Sequence, residues 1–297
     1  MPAPLQSSLK GHTLGVIAGA GNLPGKLLNA CDRRGQEVFV VAIDGQTNPS
    51  ITKGRNHMIA RMGAAGKIIK TLKSHDVRDL VMIGSVRRPT LAELRPDFRA
   101  LKFFMRLGFR AKGDNNLLSA LRRELEEEGF SLHGIQSFVD DLLAAEGALG
   151  RYKPSRGDWD DINRGIEVAT ALGKLDVGQS VIVQEGIVLG VEGAEGTDEL
   201  IRRCRLYKRK GRGGVLVKIA KPQQDRDLDL PTIGPQTVRL CSDALLSGIV
   251  VQAGNSLVID PQDVADIANR EKMFVLGIDL SKDKNECDHP RDARKEN

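Results

Sequence analysis

Residues 14–25 run Leu14-Gly15-Val16-Ile17-Ala18-Gly19-Ala20-Gly21-Asn22-Leu23-Pro24-Gly25, a short apolar run that stops in glycines and then in Pro24. An apolar run bounded by turn residues predicts a buried strand over 14–18. Pro24 suits a first helical turn, where its missing N–H costs no hydrogen bond, so a helix is expected over 22–34. A strand, a glycine-rich turn and a helix in that order aim backbone N–H groups beyond the strand end, which is how such turns hold phosphate. Gly19, Gly21, Asn22 and Leu23 are therefore candidate nucleotide or phosphate contacts. The spacing departs from the dinucleotide pattern G-x-G-x-x-G/A, because the third glycine, Gly25, comes one residue late. Asp44, ending the next apolar run, stands where a ribose-binding acid would, which keeps a nucleotide-dependent oxidoreductase among the readings. A tight turn whose glycines only permit positive φ is the plain alternative.

The pattern repeats outward. Residues 37–43 and 79–84 are further strand-like runs with a helix-length segment, 63–74, between them, and such alternation builds a parallel sheet with helices on its faces. The expected fold class is α/β: a Rossmann-like parallel-sheet domain over 1–150 and a second α/β domain with a mixed sheet over 151–280. At the end of the third strand, Gly84-Ser85-Val86-Arg87-Arg88 supplies a small residue, a hydroxyl and two cations, so Gly84 and Ser85 join the candidate anion contacts. Leu117, Leu118, Leu121 and Leu125 share one face of a helix over 115–128 that Gly129 would cap, and its acidic end reads as a solvated face. The polar stretch 150–157 marks the domain boundary. Strands are expected over 180–184, 187–191, 215–220, 249–252 and 257–260. The charged tail, 281–297, is expected to be disordered and without a role.

The chain has 297 residues, room for two domains that each bury a core. Cys31, Cys204, Cys241 and Cys287 show no paired spacing, which argues against a disulfide framework or a zinc site and for a reducing compartment. No stretch reaches the roughly 20 apolar residues of a membrane helix, and the first apolar run is too short for a signal segment, so a cytoplasmic location is expected. The net charge of +5 is concentrated at Arg87-Arg88, 95–112 and 202–212, which favours an anionic partner. With aromatics at 4% and no reading helix, nucleic acid is not expected to be that partner. Residues 98–109 mix Leu101, Phe103, Phe104, Met105 and Leu107 with Arg99, Lys102 and Arg106. That mixture fits an anionic bilayer or acyl chains, and equally a core helix with cationic edges.

The most specific chemistry lies in 218–231, where Asp225-Arg226-Asp227-Leu228-Asp229 alternates carboxylates with other residues. If this segment is extended, its period of two turns all three carboxylates to one face, and like charges that close need a cation. With no His or Cys beside them, magnesium is the expected ion, with manganese as a substitute, rather than zinc. An EF-hand is excluded, since Leu230 and Gln236 stand where glycine and glutamate are required. A solvated loop balanced by Lys218, Lys221 and Arg226 is the alternative. A second acidic set, Glu192, Glu195 and Asp198, lies at a strand end. Thr197 reads there as a helix N-cap with Asp198 and Glu199 in the first turn, while Gly193 and Gly196 around Glu195 suggest close approach of a ligand.

Taken in order, Ile-Ala-Gly-x-Gly-x-Leu-Pro at 17–24, Gly113-Asp114, Glu-Gly-x-Val…Glu-Gly-x-Glu-Gly-Thr-Asp at 185–198 and Lys-Pro-x-Gln-Asp…Asp-Leu-Pro-x-x-Gly-Pro at 221–235 resemble the LpxI family of UDP-2,3-diacylglucosamine pyrophosphatases, over about 14–278. The resemblance implies hydrolysis of UDP-2,3-diacylglucosamine to UMP and 2,3-diacylglucosamine 1-phosphate (lipid X), with magnesium, by two domains that enclose the substrate. It implies a peripheral place at the cytoplasmic surface of the inner membrane of a Gram-negative bacterium. Asp225 and Asp229 carry over as catalytic carboxylates. The order Arg226-Asp227 departs from the family pattern, so Asp227 does not. On this reading Asp225, Asp229 and Asp198 hold magnesium, and Lys218, Lys221 and Gln224 stabilise charge on the bridging oxygens. Gly113, Asp114, Gly193, Glu195, Gly196 and Thr197 join the substrate contacts. A sensor that binds a sugar nucleotide without catalysis is the reading from another class, and homo-oligomerisation is compatible with either.

Overall fold

The computed structural model describes residues 12–87, 94–107, 114–139 and 141–281. It divides into two compact units, Met1–Leu142 with Gln223–Leu230, and Leu143–Pro222 with Pro231–Asn297. The division falls between Leu142 and Leu143 rather than at residue 150, and the acidic segment Gln223–Leu230 belongs to the first unit. Gly113, Arg88, Cys287 and the tail beyond residue 281 lie outside the described residues.

In the first unit, β1 (Thr13–Ala18), β2 (Val38–Ile43), β3 (Asn56–Ala60), β4 (Val77–Ile83) and β5 (Ser131–His133) form a five-stranded sheet in the order β3-β2-β1-β4-β5. Every pairing in it is parallel. The central strands read as near-continuous apolar runs because both faces are covered, and Leu14, Val16, Val40, Val41, Leu80 and Val81 are fully buried. Between the strands run α1 (Leu23–Arg34), α2 (Ala65–Ser74), α3 (Phe98–Leu107) and α4 (Asp114–Glu127). Ile68, Ile69 and Leu72 of α2 and Leu125 of α4 share one core with Phe39, Val41 and Leu80. The chain leaves β1 towards β2 and β3, then returns to place β4 on the other side of β1. The strand order reverses there, which is where open α/β sheets bind ligands.

The second unit is mixed, as the strand-rich second half of the sequence predicts. Its strands and helices are β6 (Gly147–Ala148), α5 (Arg156–Lys174), β7 (Ser180–Gln184), β8 (Ile187–Val191), α6 (Thr197–Cys204), β9 (Val215–Lys218), β10 (Thr232–Ile233), α7 (Pro235–Asp243), β11 (Gly248–Gln252), β12 (Leu257–Val258), α8 (Pro261–Arg270) and β13 (Phe274–Ile278). A six-stranded sheet runs β6-β13-β11-β9-β7-β8, parallel through β13, β11 and β9 and antiparallel at both edges. The strand expected over 257–260 is only β12, which pairs with β10 outside that sheet. Helix α5 starts at a capping box, in which Asp158 Oδ2 accepts from Ser155 N at 2.8 Å and Ser155 Oγ accepts from Asp158 N at 3.3 Å.

Helix α5 lies close on β9 because Gly165 has no side chain: a Cβ there would sit 2.4 Å from Val217 Cγ2. Gly165→Ala gains about 1 kcal/mol of helix propensity and loses a similar amount to crowding. Gly165→Leu gains no more and must displace buried Val217, so it is expected to cost about 3 kcal/mol, read as a lowered midpoint in urea unfolding.

Candidate active site

The two glycine turns beyond β1 and β4 are hydrogen-bonded to each other. Gly19 N donates to Ile83 O at 2.8 Å, Ala20 N to Ser85 O at 2.8 Å, and Ser85 N back to Ala20 O at 3.0 Å. A Cβ on Gly19 would lie 2.6 Å from Ser85 O, and one on Gly84, at φ +100°, would lie 2.6 Å from Ala20 O. Packing of one turn on the other therefore accounts for Gly19 and Gly84 without a ligand. Gly21 is different: it is exposed, has φ +91° and has nothing within 4 Å of an added Cβ. Asn22 follows as the N-cap of α1 and makes no side-chain capping bond. The amides at the start of α1 are thus the donors that this turn offers an anion. Thr47 Oγ1 braces the same edge, donating to Ala18 O and accepting from Ile43 N at 2.8 Å. Asp114 begins α4, but its side chain lies outside what is described.

The acidic segment is a turn and not the extended run that its alternation suggests. Asp225 collects the amides that follow it: Asp227 N donates to its Oδ1 at 3.0 Å and Asp229 N to its carbonyl at 2.9 Å. An Asp side chain competing for nearby backbone in this way favours turns over strands. The three carboxylates consequently do not act as one row. Asp225 and Asp227 both face Arg122 of α4, whose Nη2 donates to Asp225 Oδ1 and Asp227 Oδ2, each at 2.9 Å. Its Nε makes an ion-pair contact with Asp225 Oδ2 at 2.5 Å. Asp229 instead accepts from Gln224 Nε2 at 2.5 Å. Two further contacts hold the segment on the first unit: Gln136 Nε2 donates to Arg226 O at 3.0 Å, and Leu228 packs against the core around Leu80 and Leu125. Burial alone would lower the Arg122 pKa, but the hydrogen bond and charge of Asp225, helped by Asp227 and Glu126, outweigh it and raise the pKa above its ordinary value.

In the second unit, Thr197 is not the helix cap. Gly196 holds that position at φ 80°, with no side-chain bond. Thr197 Oγ1 instead donates to Glu192 Oε1 at 2.7 Å and accepts from Lys218 Nζ at 2.8 Å, with Ser180 Oγ at 3.2 Å. Glu192 Oε2 accepts from Gln179 N at 3.1 Å. Glu192 is only 7% exposed, Lys218 8% and Ser180 0%, so a buried carboxylate and a buried ammonium are bridged by one hydroxyl. Lys218 ends β9 and so stands at the carboxyl end of a parallel strand. Glu195 folds back on itself, accepting from Gly193 N at 3.1 Å and pairing with Arg203 at 2.8 Å. That fold brings its Oε2 to 2.9 Å from a Cβ built on Gly193, and Gly196 takes a positive φ of 80°, so the turn gives both glycines a local role. Lys221 Nζ donates to Asp176 Oδ1 at 2.6 Å. Asp198 is exposed in the first turn of α6.

Among the described residues no group of three or more His, Cys, Asp and Glu side chains converges to hold an ion. Magnesium does not require one, since it is commonly bound by one or two carboxylates, waters and substrate phosphates. Asp225 and Asp229, hard oxygen donors in one turn, fit that role once Arg122 yields Asp225. Asp198 belongs to the other unit, so the ligand set read from sequence is divided between the two. Arg122 and Ser180 were not among the expected site residues, and Glu192 was expected only as a member of the acidic set at a strand end. The sequence signal for Glu192 is its place in that acidic set, whereas Ser180 comes opposite Lys218 only through the pairing of β7 with β9.

These features define a two-unit α/β protein with a glycine turn opening onto a helix start and a docked carboxylate loop in one unit and a buried lysine network in the other. Residues 13–142 match the LpxI N-terminal domain and residues 145–276 the LpxI C-terminal domain. The chain belongs to the LpxI family. It is 37% identical over 273 residues to the UDP-2,3-diacylglucosamine pyrophosphatase LpxI of Caulobacter vibrioides, covering 90% of this chain and 97% of that protein. Solved structures that resemble it include a UDP-glucose-4-epimerase from Stenotrophomonas maltophila, at 12% identity and TM-score 0.27 over 41% of this chain and 35% of that one. The biotin carboxylase subunit of pyruvate carboxylase matches at 13% identity and TM-score 0.25, over 64% and 39%. The chain spans little more than a third of either, and at these scores neither carries an argument about function.

Arg122→Ala strands two carboxylates and is expected to cost about 1–3 kcal/mol, less than a fully buried pair because both partners keep some exposure. In a double-mutant cycle with Asp225→Asn the two losses should fail to add by at least about 0.5 kcal/mol; additive losses would mean that the pair does not hold the segment. Glu195 gives a pH dependence. Its own backbone N–H first, and then Arg203, hold its carboxyl below the usual range. A carboxyl depressed in the folded state contributes stability that is present above its unfolded value of about 4.3 and is lost as pH falls through the folded one. The difference in thermal midpoint between wild type and Glu195→Gln should therefore be largest near neutral pH and shrink below about pH 4.

Proposed function

We propose that the chain hydrolyses the diphosphate of UDP-2,3-diacylglucosamine to UMP and 2,3-diacylglucosamine 1-phosphate (lipid X), a step of lipid A biosynthesis. One observation carries the reading: identity of 37% across 97% of a relative named as that pyrophosphatase. In the reaction one water is consumed, its oxygen joins one phosphorus, the P–O–P bridge breaks, and each product leaves as a phosphate monoester.

The residues divide the work. The open amides at the start of α1, beside Gly21, Asn22 and Leu23, take a phosphate of the substrate. Arg122 holds the Asp225 carboxylate in place until a cation replaces it, and an acidic group nearby takes the proton of the attacking water. Asp225 and Asp229 would hold magnesium, which when bound neutralises the diphosphate and makes water a better nucleophile. Lys218 supplies positive charge for oxygen anions that develop as the bridge breaks, held ready by Thr197. Lys221 and Gln224 add donors nearby in sequence.

A diacylated substrate lies in a membrane, so the protein acts as a cytoplasmic enzyme at the inner-membrane surface. No helix among the described residues is long and apolar enough to cross a membrane. Helix α3 supports an acyl contact. Phe98 is 81% exposed and Leu101 and Met105 are also exposed, while Arg106 is paired with Glu124 at 2.6 Å and Arg99 with Glu128. An apolar face whose arginines are already neutralised suits hydrocarbon better than an anionic surface.

The test is UMP release from UDP-2,3-diacylglucosamine dispersed in detergent, with magnesium and after chelation, with lipid X identified by mass. Wild type should release both products only with metal, and Asp225→Ala should lower kcat by at least about a hundredfold. No UMP with either magnesium or manganese would remove the hydrolase reading, and full turnover by Asp225→Ala would remove this assignment of roles.

A further inference from the structure

Immediately after α6, the chain makes a single turn of tight helix, Arg205–Tyr207, and continues as Lys208-Arg209-Lys210 before it reaches β9. Helix α6 buries Leu200, Ile201 and Cys204, yet the next two apolar side chains point away from any core: Leu206 is 81% exposed and Tyr207 61%. Isolated exposed apolar residues are ordinary, but two in succession among four cations in six residues are not explained by solubility.

The charge around them is not cancelled. Upstream on α6, Arg202 pairs with Glu199 at 2.5 Å and Arg203 with Glu195 at 2.8 Å. Downstream, Arg212 Nη2 donates to buried Asp161 at 3.0 Å and to Gly157 O at 2.6 Å. Among the described residues, Arg205, Lys208, Arg209 and Lys210 pair with no carboxylate. Glu185 Oε1 lies 2.5 Å from a Cβ built on Gly211, next to this run, without forming an ion pair with any of the four.

Nor is the loop loosely attached. Gln184, fully buried, accepts from Arg209 N at 2.9 Å and donates to Arg209 O at 3.0 Å and Arg212 O at 2.5 Å. Those bonds and the Arg212–Asp161 pair fix the base of the loop on the sheet and on α5. Its tip is held out by buried polar contacts, which opposes any inward collapse of Leu206 and Tyr207.

We propose that residues 205–210 are a docking surface for an anionic lipid bilayer, with Leu206 and Tyr207 entering the headgroup boundary and Arg205, Lys208, Arg209 and Lys210 meeting lipid phosphates. Each element alone is weak, and durable attachment to a membrane takes two signals, an apolar insertion and a cationic patch; both are present here on one loop anchored at Arg209 and Arg212. An amphipathic ring such as that of Tyr207 suits the interface rather than the hydrocarbon. The inference deepens the reading of a membrane-borne substrate by naming the surface, and its test does not depend on turnover.

The full chain is sedimented with vesicles of phosphatidylcholine alone or mixed with phosphatidylglycerol. Wild type should partition at least about tenfold more strongly to the anionic vesicles, and the preference should fade as salt rises. Leu206→Ser with Tyr207→Ser should weaken binding about tenfold, and Gln in place of all four cations should abolish the preference for anionic lipid. All substituted side chains are on the surface, so unchanged circular dichroism and unchanged UMP release from detergent-dispersed substrate are expected. Equal binding to neutral and anionic vesicles, or loop variants that bind as wild type does, would overturn the proposal. So would a wild-type dimer that ignores vesicles and that the Leu206 and Tyr207 substitutions dissociate, since the occupant would then be a second copy of the chain.

Discussion

Two carboxylates that both stay ionised within reach of one another are favoured by a cation between them, and in the first unit that cation is Arg122. A lysine could neutralise one of them as a point charge; the planar guanidinium engages both oxygens of Asp225 and one of Asp227 from a single side chain. The contact joins residues 103 positions apart in the chain, and with it comes the whole segment Gln223–Leu230. Leu228 in the core and the bond from Gln136 to the Arg226 carbonyl hold the same turn from other sides. The position of the Asp225 carboxylate is therefore a property of α4 as much as of its own loop. Electrostatically, a divalent ion at Asp225 and Arg122 at Asp225 are alternatives, since both satisfy the same negative charge.

The second unit solves the opposite problem, a buried ammonium and a buried carboxylate kept apart. Lys218 and Glu192 share Thr197, whose hydroxyl has the one donor and two acceptor positions that the arrangement needs. Because the hydroxyl is engaged there, it cannot cap α6, and the cap position falls to Gly196 with its positive φ. Asp198 and Glu199 remain in the first turn, where the helix dipole favours them without any help from a capping side chain. Thr197 thus links a buried ammonium to a buried carboxylate through one neutral hydroxyl, which keeps Glu192 out of direct contact with the Lys218 ammonium.

What could be read from the residues was what local chemistry decides. The run from Leu14 to Gly21 has its strand, turn and helix in order because burial, positive φ and the proline at a first turn are all local demands. The Val215 and Ile249 runs became parallel strands for the same reason. Edge strands escaped: Asn56 to Ala60 is mostly exposed and polar enough to look like a loop, and β5 is only three residues long. The carboxylate alternation at Asp225 pointed to a strand, but an Asp side chain that captures the amide two residues on prefers a turn, and the cation facing it comes from a distant helix. Arg122 shows nothing in its spacing to separate it from Arg123, since an i,i+4 pairing with Glu126 is what a solvated face also presents. The glycines at 19, 84, 193 and 196 were visible, but whether a glycine yields to a ligand or to the chain itself is a question of the neighbour, and for these four the chain itself is sufficient.

The same limit applies to the two stretches where apolar and basic residues mingle. By composition, α3 and residues 205–210 are near equivalents, each with exposed hydrophobic side chains among arginines and lysines. Their surroundings separate them. Helix α3 has Glu124 and Glu128 at hand, so Arg99 and Arg106 are paired, and it presents Phe98, Leu101 and Met105 outward beside exposed Lys102. The loop after α6 has its acidic neighbours, Glu195, Glu199 and Asp161, already committed to Arg203, Arg202 and Arg212, and its own cations are left facing solvent with Leu206 and Tyr207. A charge interacts with a membrane only to the extent that no closer charge has claimed it. The distribution of carboxylates, more than the count of cations, therefore decides which surface attracts anionic lipid and which accepts acyl chains.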